Sequence, residues 1–240
     1  MDLPFDTTRR RRIHLMRHAE ADYFDAAGNR ASDPRLVPLT ARGRDEAAAM
    51  DALMADLPLD RVICSGLPRT IETASPHAAR RFIPLEIVPA LEEIRGGTPQ
   101  SRQSLSPADY AYGFFRAHEP DARFAGGERY ADFLARVAPA FDAILADLAW
   151  SNILIVAHGG VNRAILAHLF GLGLQHLAMF EQDSACLNVI DIDSDRDTGE
   201  IRRRVIRALN MTAHDPVKES LRWLTMEGMV RRAMAASSES

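Results

Sequence analysis

Short unbroken apolar runs alternate along the chain with segments whose apolar residues recur at helical spacing. That pattern predicts buried parallel strands covered by helices. The first run, Ile13 to Met16, follows the basic residues Arg9 to Arg12, and Leu3 to Arg12 is expected to form a loosely attached arm. After a polar loop over Ala21 to Leu39, Thr40 opens a helix as its N-cap. The helix runs through Ala47, Met50, Leu53, Met54 and Leu57 to a stop at Pro58. Arg61 to Ser65 is the next strand, Pro68 starts a helix towards Arg81, and Leu85 to Val88 is a third, shorter strand.

Glu128 to Trp150 carries the clearest helical stripe, Phe133, Leu134, Val137, Phe141, Ile144, Leu145 and Leu148, with Pro139 placed to kink it. Asn152 to Ala157 is another buried strand, with a helix from Val161 to Phe170 behind it. Cys186 to Ile192 and Ile201 to Leu209 pair around the turn Asp193 to Gly199, and Pro216 to Ala235 reads as a terminal helix. Between Thr98 and Gly127 the pattern weakens into Pro, Ser, Gly and scattered aromatics, the composition of a partly helical insertion or lid. The fold class is therefore α/β, a mostly parallel mixed sheet flanked by helices on both faces. We expect one domain over 1–240, with the insertion at about 95–128 and a helical tail at about 211–240.

Composition narrows this picture without redirecting it. The chain has 240 residues, 47% hydrophobic and 26% charged, with a formal charge of −4, so it is no general nucleic-acid binder. The clusters Arg9 to Arg12, Arg202 to Arg204 and Arg231-Arg232 are expected to be solvated faces, since 28 arginines against one lysine make Arg usage uninformative. Cys64 and Cys186 stand alone in apolar runs, which suits buried thiols in a cytoplasmic protein. No run of 18 apolar residues occurs, so no membrane span is expected.

The chemistry lies just past the strands. Arg17-His18 follows the first, Arg69 the second and His158-Gly159 the fourth, while Glu93 follows the third. Ligands of open α/β sheets bind at such carboxyl ends. A neutral imidazole attacks phosphorus, guanidiniums hold phosphoryl oxygens bidentately, and a carboxylic acid protonates a leaving oxygen. Helix N-termini add backbone N–H donors. The metal alternative is weak, because His14 and His18 are about 13 Å apart in a strand and the other histidines lack ligand spacing. No cofactor loop is present either: Gly171-Leu172-Gly173 lacks a strand-turn-helix context.

Taken together, these motifs resemble the histidine phosphatase superfamily, the phosphoglycerate mutase-like proteins. The resemblance rests on Leu15-Met16-Arg17-His18-Ala19-Glu20, Pro38-Leu39-Thr40-Ala41-Arg42-Gly43, and Ser65-Gly66-Leu67-Pro68-Arg69-Thr70-Ile71-Glu72-Thr73-Ala74. Leu91-Glu92-Glu93-Ile94 and Val156-Ala157-His158-Gly159-Gly160 complete it, so that it spans roughly residues 12 to 192. It implies a metal-independent phosphomonoester hydrolase acting on a small phosphorylated metabolite. In that reading His18 is the nucleophile, Arg17, Arg69 and His158 bind the phosphoryl group with Gly159 and Tyr23, and Glu93 is the general acid, with Glu92 the alternative. Ala19 replaces the more common Gly, and Tyr23 stands where an Asn commonly helps bind phosphate.

Two other readings share the motifs. One is a cofactor-dependent phosphoglycerate mutase, although 64 residues between Glu93 and His158 are few for that group's longer insertion. The other is a non-catalytic phospho-ligand or protein-binding module. The apolar Leu221, Trp223, Leu224 and Met229 fit a homodimer interface and core packing equally well.

Overall fold

The computed structural model of the chain describes residues 7–24 and 31–238. Its strands are β1 (Thr8–Arg17), β2 (Arg61–Cys64), β3 (Leu85–Ile87), β4 (Asn152–Ala157), β5 (Leu187–Asp195) and β6 (Ile201–Met211). They form one mixed sheet in the order β3-β2-β4-β1-β5-β6. The pairings of β1 with β4, β2 with β4 and β2 with β3 are parallel, and those of β1 with β5 and β5 with β6 are antiparallel. The helices are α1 (Ala41–Leu53), α2 (Pro68–Arg80), α3 (Pro99–Arg102), α4 (Pro107–Ala111), α5 (Tyr130–Ala146), α6 (Gly159–Leu169) and α7 (Thr225–Ser238).

Alternation along the central strands divides the core into two layers. Ile13, Leu15, Ile63, Ile153 and Ile155 pack under α5 and α6, with Phe133, Phe141 and Ile165. Met16, Val62, Cys64, Leu154 and Val156 pack under α1 and α2, with Met50 and Ala74. Both faces of the parallel half are therefore covered, which is why its strands read as continuous apolar runs. Cys64 and Cys186 are free and buried, and burial pushes the Cys186 thiol up to about 12.

Several boundaries differ from the sequence reading, each for a local reason. Residues 8–12 are not an arm: they pair antiparallel with β5, and residues 1–6 lie outside the described part. Arg10 and Arg12 reach Asp193 and Asp191 at 2.7 and 2.6 Å, while Arg203 and Arg207 approach the same two carboxylates from β6. Arg10, Arg12, Arg203 and Arg207 thus form cross-strand ion-pair ladders, while Arg202 to Arg204 lie exposed as expected. Arg11 is interior, donating to the carbonyls of Asp147 and Leu145 with its guanidinium 4.3 Å from the Trp150 ring.

Helix α1 stops at Leu53, four residues before Leu57, and the Arg81 side chain takes up the carbonyls of Met54, Ala55 and Leu57. Helix α5 runs continuously through Pro139 and ends at Ala146. Extended Asp147 then leaves Leu148 outside the apolar stripe, 37% exposed. Residues 216–224 are not helical. The Asp215 carboxylate gathers the backbone N–H groups of Glu219 and Ser220, and α7 begins only at Thr225.

Candidate active site

The carboxyl ends of β1, β2 and β4 lie side by side, so the residues following them converge. His18 is 1% exposed. Its Nδ1 lies 2.7 Å from the Ala19 carbonyl, which can only accept, so Nδ1 carries the proton and Nε2 keeps its lone pair. Arg69 enters in the first turn of α2, behind Pro68, and its Nε donates to that lone pair at 3.2 Å. The same guanidinium donates to the carbonyls of Pro34 and Arg35 and lies 5.5 Å from the Tyr23 ring.

His158 is fully buried, its ring centroid 5.2 Å from that of His18. Its Nε2 meets Ser65 Oγ at 2.8 Å and Ser65 meets Thr70, so the hydroxyls after β2 hold this imidazole while its buried Nδ1 has no hydrogen-bond partner. Arg17 donates from Nη1 to the Gln182 carbonyl at 2.8 Å, and its buried Nε also has no partner. Unmatched buried polar atoms cost about 1–3 kcal/mol each, so both atoms gain from a ligand that supplies hydrogen-bond partners. An anionic oxygen satisfies Arg17 directly, and a dianion favours the imidazolium whose Nδ1–H donates.

Glu93 comes from the turn after β3, which Arg136 fixes by donating to the carbonyls of Ala90 and Glu92. The Glu93 carboxylate accepts from Ile94 N at 2.9 Å and from Gly160 N, at the start of α6, at 3.1 Å. A Cβ on residue 160 would sit 2.5 Å from Glu93 Oε1, so glycine there lets the carboxylate reach the helix end. Glu92 is engaged separately, both of its oxygens accepting from Arg35 Nη2 at 2.9 and 2.8 Å.

The profile of the histidine phosphatase superfamily (branch 1) matches residues 13–210. The chain belongs to that superfamily. It is 31% identical over 186 residues to the adenosylcobalamin/alpha-ribazole phosphatase of Escherichia coli (strain K12), covering 76% of this chain and 90% of the relative. It is also 30% identical to the glucosyl-3-phosphoglycerate phosphatase of Mycolicibacterium vanbaalenii, over 68% of this chain and 75% of that one. The native structure of a mycobacterial glucosyl-3-phosphoglycerate phosphatase superposes with a TM-score of 0.69 at 22% identity, over 84% of this chain and 99% of the other, which shows the same fold.

The histidine phosphatase motifs acquire physical reasons here. Thr40 caps α1 by accepting from Gly43 N and donates to the Glu20 carboxylate. A Cβ on residue 43 would fall 2.0 Å from the Glu20 carbonyl, so the Thr-Ala-Arg-Gly signature fastens α1 to the chain leaving His18. Burial, then the charges of Arg69 and Arg17, hold the His18 imidazole well below the usual histidine value. Burial likewise lowers His158, with Arg69 the largest charge acting on it. Protonation would remove the His18 lone pair. The acid limb of kcat/KM, once the substrate's own ionisation is subtracted, is therefore expected below the 6.5 of a free histidine. An enzyme limb at or above 6.5 would contradict the dry, cation-flanked setting of His18.

Sequence reasoning missed the supports behind this arrangement. Ser65 lies within a recognised motif, but its hold on His158 needs β2 and β4 to be adjacent. Gln182 and Thr225 meet Arg17 from loci 165 and 208 residues away, with no local signature.

Proposed function

We propose that this chain hydrolyses phosphomonoesters of small metabolites through a phosphohistidine formed on His18. The observation that carries the reading is the His18 ring itself: Nδ1 is tied to a carbonyl, and Nε2 presents a lone pair beside the Arg69 guanidinium. In the reaction a substrate phosphate draws Arg69 onto its oxygens and releases Nε2, which attacks phosphorus in line with the departing oxygen. The P–O bond to the alcohol breaks, and Glu93 gives that oxygen its proton. Water then attacks the phosphohistidine, Glu93 recovers a proton from it, and orthophosphate leaves.

Arg17, Arg69, His158 and the N–H groups opening α6 stabilise the charge spread over the equatorial oxygens. Glu93 rather than Glu92 suits the acid role, because its carboxylate reaches the start of α6 beside Arg17 while Glu92 is engaged by Arg35. Tyr23 supports Arg69 through its ring face, a use of this position unlike that of an amide. Buried thiols and the lack, among the described residues, of a helix long and apolar enough to cross a membrane fit a cytoplasmic setting.

The relatives are named for an adenosylcobalamin or ribazole phosphate and for a glucosylated phosphoglycerate, so the proposed class is the phosphomonoester of a small metabolite. Phosphate release from a panel of such esters tests it. Because guanidiniums and imidazole supply the positive charge, the rate is expected to be unchanged by EDTA. A loss restored by Mg²⁺ or Zn²⁺, or interconversion of phosphoglycerates without phosphate release, would overturn the hydrolase reading.

A further inference from the structure

Helix α7 lies beyond residue 210, where the match to the superfamily profile ends. It nevertheless borders the same cavity as Arg69 and Glu93. That cavity, about 850 Å³, is lined by Met226, Met229 and Val230 of α7 and by Leu105, Tyr110 and Phe124 of the segment between Glu93 and α5. The α7 residues follow helical spacing on one side, while Arg231 and Arg232 on the other are exposed. The helix is also fastened to the phosphate cradle. The Thr225 hydroxyl donates to the Gln182 carbonyl at 3.0 Å, the oxygen that also accepts from Arg17, and the Glu181 carboxylate accepts from Thr225 N at 3.1 Å.

The charged groups near the mouth already have partners within the chain. Arg35 and Arg95 both meet Glu92, and Arg102 donates to the Gly97 carbonyl. The Asp33 carboxylate, also in the lining, accepts from Arg35 N, and Tyr110 brings a phenol; the rest of the wall facing the cradle is mainly thioether, aliphatic and aromatic surface. A volume of this order holds a drug-sized group, far more than a three-carbon alcohol. Hydroxyls placed against the α7 side, Met226, Met229 and Val230, lose water without gaining partners, whereas methionines adapt to flat or branched apolar shapes.

We infer that α7 is the specificity wall of this site, selecting phosphomonoesters whose alcohol carries a bulky apolar or aromatic group over polyhydroxylated ones. The inference rests on the phosphomonoesterase reading above and adds the substrate class to it. Met229 thereby has a use inside the chain. Trp223, 55% exposed under the Arg231 guanidinium at 4.2 Å, stays outside the wall.

The test compares 3-phenylpropyl phosphate with glycerol 3-phosphate, both esters of primary alcohols, on the full chain. The parent is expected to favour the phenylpropyl ester in kcat/KM by about 10- to 100-fold, the range a hydrophobic pocket supplies. The near-isosteric pair Met229→Gln and Val230→Thr should cut that ratio at least about fivefold, mainly through KM, as removal of uniform binding does. If the pair lowers the melting temperature, Val230→Thr alone carries the comparison.

Calorimetry with 4-phenylbutylphosphonate and 3,4-dihydroxybutylphosphonate, in which a methylene replaces each ester oxygen, asks the same question without turnover. Hydrolysis of both esters at equal efficiency, or a preference indifferent to the substitutions, overturns the wall and leaves the phosphatase reading standing. Phosphonate selectivity that responds to the substitutions, with no ester hydrolysed, overturns the phosphatase reading and retains the wall.

Discussion

Replacing His18 by alanine is expected to remove at least about 10³-fold of turnover, equivalent to about 4 kcal/mol of transition-state stabilisation. With it should go an acid-labile, alkali-stable phosphoenzyme trapped by rapid quenching. The size of the effect follows from the covalent route: without Nε2 no second nucleophile is in line, since His158 has Nε2 engaged by Ser65 and, in the proposed mechanism, uses Nδ1–H as a donor to the phosphoryl oxygens. Loss of fold is a competing explanation, because His18 is buried and accepts from Arg69. Retained binding of inorganic phosphate by His18→Ala separates the two, since Arg17, Arg69 and His158 remain. A variant that still releases phosphate within tenfold of the parent would place the nucleophile elsewhere.

The parts of this molecule legible in its sequence are those fixed by local pattern. Parallel strands buried on both faces appear as Ile13 to Met16 or Ile153 to Val156, and the groups at their tips follow at once in the chain. What could not be read depends on partners far away. Arg10 and Arg12 look like a solvated tail until β5 supplies Asp191 and Asp193 in antiparallel register, about 180 positions later. The helical pattern places the start of α7 too early for a local reason instead: the Asp215 carboxylate ties down the following turn, a competition the pattern does not reveal. Leu148 fits the stripe of α5 by spacing, yet the helix ends before it, and Trp150 instead fills the interior, its Nε1 donating to the Ile144 carbonyl. The candidate site shows the same division: Arg17 and His18 stand in a motif, whereas the Gln182 carbonyl and the Thr225 hydroxyl that meet Arg17 do not.

The choice between the adjacent glutamates is the sharpest remaining test of the chemistry. Glu93 reaches Gly160 N at the start of α6, the helix that follows His158, so its carboxyl group stands next to the cradle where the leaving oxygen departs. Its proton matters in proportion to the badness of the leaving group: an alkoxide leaves poorly without one, whereas p-nitrophenolate needs little help. Glu93→Gln keeps the shape and removes the exchangeable proton. It is expected to slow a primary alkyl phosphate by roughly 10²- to 10⁴-fold and p-nitrophenyl phosphate far less, provided phosphoenzyme formation limits both rates. Single-turnover bursts establish that condition. Glu92→Gln, by contrast, weakens only rim ion pairs with Arg35 and Arg95, and its effect should be small and independent of the leaving group. If Glu93→Gln slows both esters equally, or if the leaving-group dependence belongs to Glu92→Gln, the proton comes from another donor and the hydrogen bond from Gly160 to Glu93 is structural.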